Sequence, residues 1–185
     1  MLSAIQHGGP VIYLEHKLLS GEWLELLGAG GRKTVHFDVP QDGACGPVPR
    51  SWSSVPFGRA AVRCPGRDLT IVSLAVGVHR SLEAAAILQD RDIAAGVLDL
   101  RTVWPLDKQR VCEAVTKTGH LLVVDEDYEA FGLSGELAAT LLDEGIQAKY
   151  ARVCTQDTIP YSRQEEDRTL PNVDRIVDAA LRLLG

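Results

Sequence analysis

No run of about 18 apolar residues occurs in the chain, and no basic stretch followed by an apolar one opens it. A membrane span and a secretion leader are therefore not expected, and the chain reads as a soluble cytoplasmic protein. Basic clusters are missing as well. Nineteen Lys and Arg stand against 25 Asp and Glu, and the net charge of −6 argues against nucleic-acid or anionic-membrane partners. The four cysteines, Cys45, Cys64, Cys112 and Cys154, form no CxxC pair, so free thiols are expected rather than a disulfide framework or a zinc site. Five histidines form neither HExxH nor HxH, which removes the ligand spacing of a metal hydrolase. A Walker phosphate loop and a GxSxG elbow are absent too. Gly28, Gly30 and Gly31 approach a dinucleotide-binding loop, but Lys33 takes the place of its third glycine, and a flexible turn is the better reading. No internal repeat is visible.

What is present is ordinary globular composition, 45% hydrophobic and 24% charged. A chain of 185 residues buries about 70% of its unfolded surface, enough for one sizeable core. The texture changes once. Residues 38–68 hold five of the nine prolines together with Gly43, Gly46, Gly58 and Gly66, which predicts an extended Pro/Gly-rich connection. A front piece, 1–37, precedes it, and a regular domain, 69–185, follows. In that domain a β-branched run at 69–76 predicts a strand, with a helix over 78–89 and a second strand over 93–100. Asp107 is placed to cap a helix with apolar positions at Val111, Cys112 and Val115, and Gly119 to stop it. A strand at 121–124, a helix at 133–143 and a strand at 148–153 complete the alternation. The last helix carries the stripe Val173, Ile176, Val177, Ala180, Leu181 and Leu184, with Asn172 or Pro171 at its start. Strands alternating with helices predict an α/β fold, a three-layer α/β/α sandwich around a mostly parallel sheet. Ligands and partners of such sheets meet the carboxyl ends of the strands.

Several residues fall at those ends. His79 follows the first strand of the domain, as a candidate base or as a helix-start packing residue. Asp125, Glu126 and Asp127 follow the third strand, where paired carboxylates suit acid–base work or a solvated loop that caps the next helix. Arg101 suits an anion, an ion pair or an interface. Trp104-Pro105 fixes its loop and covers a hydrophobic end. Spacing alone names no reaction.

Taken in order, LDLRTVWPLD at 98–107, KTGHLL at 117–122, Phe131-Gly132 with Glu136, Arg152-Val153-Cys154 and DTIPY at 157–161 resemble the beta subunit of thiamine-diphosphate-dependent 2-oxo-acid dehydrogenases of the branched-chain, pyruvate and acetoin type. The front block GPVIYLE at 9–15 resembles it too, so the likeness covers nearly the whole chain. It implies a transketolase C-terminal-like domain over 69–185, with 1–37 as the tail of a pyrimidine-binding-type domain. Thiamine diphosphate and magnesium would act in the full enzyme, whose cofactor motifs this chain lacks; Asp42-Gly43 is only a fragment of one. No cofactor, metal or catalytic residue is then expected in the chain itself, with His79 and Glu126 as the weak catalytic candidates. Relatives bind potassium at positions that read Ala4, His7 and Gly9 here, without oxygen-bearing side chains. The resemblance implies assembly with an alpha subunit, a second beta subunit and the subunit-binding domain of the acyltransferase core, with Arg101, Trp104, Asp127 and Tyr161 as interface or strand-end candidates. The competing readings are a stand-alone interaction module and the C-terminal domain of a transketolase-type enzyme.

Overall fold

The computed structural model of the chain describes residues 1–16, 19 and 53–185. The glycine turn at 28–31 with Lys33, the Asp42-Gly43 pair, Cys45 and the first half of the 38–68 connection lie outside the described residues. Two compact units divide the chain, residues 1–57 and 58–185. In the first, a one-turn helix, α1 (Leu2–Gln6), precedes an irregular stretch, and Ser3 Oγ donates to the Val55 carbonyl.

The second unit is a five-stranded sheet, β1 (Ala61–Cys64), β2 (Leu69–Ser73), β3 (Ala95–Asp99), β4 (His120–Tyr128) and β5 (Lys149–Thr155), in the order β1-β3-β2-β4-β5. Strands β3, β2, β4 and β5 are parallel, and β1 lies antiparallel on the β3 edge. The crossovers are α2 (Val76–Gln89), α3 (Lys108–Thr118) and α4 (Leu133–Asp143); α5 (Arg163–Thr169) and α6 (Val173–Leu184) follow β5. The three-layer α/β/α sandwich with a mostly parallel sheet is the expected one.

Period-two alternation divides the sheet between two cores. Leu69, Ile71, Leu122 and Val124 face one side and pack with Ala84, Leu88, Ile176 and Ala180 of α2 and α6. Val72, Leu121 and Val123 face the other and pack with Val111, Val115, Leu137 and Leu141 of α3 and α4. Both faces are covered, which is why the strands read as continuous apolar runs.

The cap signals act as read. The Asp107 carboxylate accepts from Arg110 N, 3.2 Å away, at the start of α3, and Gly119 ends that helix at φ 69°. Asn172 rather than Pro171 caps α6, its Oδ1 accepting from Arg175 N at 2.9 Å. Three elements depart from the expectation. β1 forms inside the stretch read as a connection, and the short helix α5 was not anticipated. β4 runs on to Tyr128, so Asp125, Glu126 and Asp127 stand in a strand extension and not in a loop.

Candidate functional site

In this strand order the chain leaves β2 toward β3 and leaves β4 toward β5. The topological switch point, where doubly wound sheets open a ligand crevice, therefore falls between the carboxyl ends of β2 and β4. Here that place is filled. Ser73 Oγ donates to the Val124 carbonyl at 2.7 Å, tying the two strand ends together. The first turn of α2 settles directly on them: a Cβ at Gly77 would stand 2.4 Å from Ser73 Oγ, so only glycine permits the approach. Arg80, with 7% of its side chain exposed, sends Nη1 to Glu126 Oε1 at 2.7 Å. The Glu126 carbonyl accepts from Thr155 Oγ1 at 2.6 Å, which binds the pair to β5.

Glu126 is thus engaged by a buried guanidinium, and His79 sits half-buried on α2, one helical step of about 100° away from Arg80. The structure does not join them into an acid–base pair. Asp125 is buried, and its desolvation, reinforced by the neighbouring carboxylates of Asp127 and Glu126, pushes its carboxyl group above the usual range. Its oxygen accepts from Asp127 N at 3.1 Å, a local bond that holds the strand extension.

Arg101 follows β3 with φ 57°, and its Nε donates to the Arg59 carbonyl at 2.9 Å. Beside it, Gly58 N donates to Thr102 Oγ1 at 3.1 Å and Ala60 N to Asp107 Oδ2 at 2.8 Å. The block between β3 and α3 is therefore a corner that clamps the incoming strand. Trp104 itself is 86% exposed and does not pack over the hydrophobic end of that corner, contrary to the expectation.

Beyond the strand ends lies a rim of exposed apolar side chains. Val103 and Trp104 follow β3, Tyr128 and Phe131 belong to the end of β4 and its loop, and Ile159 and Tyr161 follow β5. Tyr161 and Phe131 are fully exposed. Gly132 allows the chain to double back under Phe131, since a Cβ there would fall 2.2 Å from the Tyr128 carbonyl. Three of the four non-glycine residues with positive φ, Ala75, Arg101 and Phe131, sit just past β2, β3 and β4. Such backbone costs about 1–3 kcal/mol each and gathers where a protein binds or reacts. Phe131 and Ile159 enter the sequence reading only within blocks that carry the resemblance, and neither they nor Tyr128 are among its site candidates; an aromatic directly before a helix-opening glycine is the available signal.

The remaining candidates lie apart from this rim. Ala4 is half-buried in α1, His7 stacks edge-on to Phe57 with centroids 5.4 Å apart, and Gly9 lies beside the His7 ring. Among the described residues no group of three or more His, Cys, Asp or Glu is placed to hold a metal ion. A shallow cavity of about 130 Å³ opens between β1 and α3, lined by Cys64, Gly66, Arg110 and Lys117, among others. Cys64, Cys112 and Cys154 are free thiols. No helix of the described residues is long and apolar enough to cross a membrane.

The domain is thus doubly wound, with a filled switch point and exposed aromatic side chains at its strand ends. The chain belongs to the transketolase C-terminal domain family, whose model matches residues 58–176. It is 34% identical over 188 residues to the beta subunit of the acetoin:2,6-dichlorophenolindophenol oxidoreductase of Cupriavidus necator, covering all of this chain and 49% of that subunit. It is 32% identical over 188 residues to the pyruvate dehydrogenase E1 component subunit beta of Bacillus subtilis, covering all of this chain and 51% of the relative. The chain thus spans about half the length of these curated relatives. Among solved structures, a split-gene transketolase described as an inactive beta4 tetramer superposes with a TM-score of 0.66 at 27% identity, over 74% of this chain and 46% of the other.

Proposed function

We propose that this chain serves as the C-terminal assembly domain of the beta subunit of a thiamine-diphosphate-dependent 2-oxo-acid dehydrogenase. The observation that carries the reading is a similarity that runs the whole length of this chain and only half the length of the relatives. The full enzyme would decarboxylate a 2-oxo acid and pass the acyl group to a lipoyl arm. In this reading the cofactor chemistry belongs to the rest of the full enzyme. Among the described residues no cluster of His, Cys, Asp or Glu suits the magnesium ion that would accompany thiamine diphosphate. The domain would pair with an alpha subunit and a second beta subunit and dock the subunit-binding domain of an acyltransferase. Arg101, Trp104, Asp127 and Tyr161 serve as interface residues in this reading. In this reading residues 1–37 end a pyrimidine-binding-type domain, a connection follows, and residues 58–185, β1 included, form the assembly domain. The likeness to a split-gene transketolase favours, as a second reading, a transketolase-type enzyme with the same division of labour.

Calorimetry tests the reading. Saturable binding of the chain to the subunit-binding domain of an acyltransferase from the same genome, with no heat from thiamine diphosphate, is the expected result. Tight binding of thiamine diphosphate to this chain alone would overturn it.

A further inference from the structure

The strand that enters the second unit is held along its length by a single segment, the corner between β3 and α3. Gly58 N donates to Thr102 Oγ1 at 3.1 Å, and the Arg59 carbonyl accepts from Arg101 Nε at 2.9 Å. Ala60 N donates to Asp107 Oδ2 at 2.8 Å, and Arg63 Nη2 reaches Asp99 Oδ2 at 2.6 Å. The dependence runs the other way as well. Residues 101–106 carry Val103 and Trp104, both exposed, and have few ties of their own. Leu106 anchors the far end of this loop against the second core. Thr102 N donates to the Leu100 carbonyl at 2.6 Å and Thr102 Oγ1 to the Pro105 carbonyl at 3.0 Å, both local bonds. Among the described residues, every hydrogen bond that leaves 101–106 for a distant part of the chain ends on Gly58 or Arg59. Arg101 sharpens this dependence. At φ 57° it holds a conformation that a non-glycine residue keeps only where its surroundings impose it. Its side chain is fixed by the Arg59 carbonyl, and its amide by Asp99 Oδ1 at 3.1 Å, on a carboxylate whose other oxygen Arg63 grips.

The entering strand is itself lightly seated. β1 has four residues, two of them exposed, lies at the edge of the sheet, and shifts its register with β3 between Val62 and Cys64. Edge backbone with so little burial opens at less cost than the core strands do. Its far end is pinned, since Arg67 N and Asp68 N both donate to the Ala94 carbonyl, so opening begins at Gly58. We propose that residues 58–63 and the corner at 99–107 form a conformational device. Seated, the entering strand is a strap that imposes the shape of the loop bearing Val103 and Trp104; released, it lets Arg101 leave the left-handed region and the loop lose that shape. The assignment stands on these contacts alone. In the reading of the chain as an assembly domain, it would make one part of the rim depend on the strand that arrives from upstream, a form of regulation which that reading does not itself require.

Hydrogen exchange followed amide by amide by NMR on the full chain tests the coupling. Arg63→Ala removes the grip on Asp99, and Ala60→Pro removes the bond to Asp107; neither alters a residue of the corner itself. The Gly58 amide reports the strap, and the Arg101 and Thr102 amides report the loop. In each variant all three are expected to exchange together, about tenfold or more faster than in the parent, while amides of β2 and β4 keep their parental rates. Damage to the whole unit would not spare those strands. If Ala60→Pro unsettles the core, Arg63→Ala alone carries the test. Strap and loop rates that part company, in either direction, overturn the proposal. So does a Gly58 rate that neither variant moves, and so does loss of protection in β2 and β4 in both variants, which would make the strap a part of the core. None of these outcomes touches the beta-subunit reading, which fails separately, on the calorimetry described above.

Discussion

Single side chains here are more informative for what they are engaged in than for what they are free to do. Glu126 looked available for proton transfer in the sequence because it stands among three acids; in the fold it meets a buried arginine. Asp125 stands in the same cluster and is the carboxylate with the unusual surroundings. Burial holds its folded pKa above that of the unfolded chain. Between those two values the folded state binds more protons, so stability falls as pH rises through that window, and the full penalty remains above it. Asp125→Asn keeps an oxygen to accept from Asp127 N and removes the charge. The variant should melt above the parent at pH 7, and the gap should close as pH falls below the ordinary carboxylate range. Thermal unfolding across pH reads this directly; a gap that widens toward acid would show that Asp125 is stabilised as a carboxylate.

Elements whose signals are local could be read from the chain. Asp107 and Gly119 bracket α3, the 3.6-residue stripe marks α6, and β-branched runs mark β2, β3 and β4. What could not be read depends on distant partners. β1 has four residues, two of them exposed, and owes its strand character to pairing with β3, from Ala61↔Asp99 to Cys64↔Val97. The extension of β4 through three acids is held by register with β5, at Tyr128↔Thr155, against the preference of aspartate for turns. The rim was legible only as a place, because strand ends could be located while exposure could not. Asp107 joins both kinds of information, since its carboxylate caps α3 and also accepts from Ala60 N, 47 residues back. Asp107→Ala should cost about 2 kcal/mol or more, roughly 1 for the cap and 1–3 for the stranded amide. Asp107→Asn keeps one acceptor oxygen where the carboxylate has two, so it can retain the bond from Arg110 N or the bond from Ala60 N but not both, and should cost less than Asp107→Ala and still be destabilising, as measured by urea unfolding.

At the scale of the molecule, the family match ends at residue 176 while the core does not. α6 buries Ile176, Val177, Ala179, Ala180 and Leu183 against α2 and the sheet. Burying Ile176, Val177 and Leu183 contributes about 1.5–3 kcal/mol each. Together they approach the whole stability of an ordinary domain, about 5–15 kcal/mol. Residues 58–185 should therefore unfold cooperatively on their own, and a chain ending at residue 172 should not, as circular dichroism during denaturation would register. A cooperative transition in the shorter chain would mean that the last helix is dispensable.

The antiparallel course of β1 has a mechanical consequence. Because it runs against its neighbours, the polypeptide enters the unit at the carboxyl end of the sheet, beside the rim. Tension drawn along that entering strand falls first on the bonds from Gly58 and Ala60 and on the Arg59 carbonyl held by Arg101, before any ladder bond of β1 is loaded. The corner is a strain relief, and a pull from upstream would be felt at the rim before it reached the core.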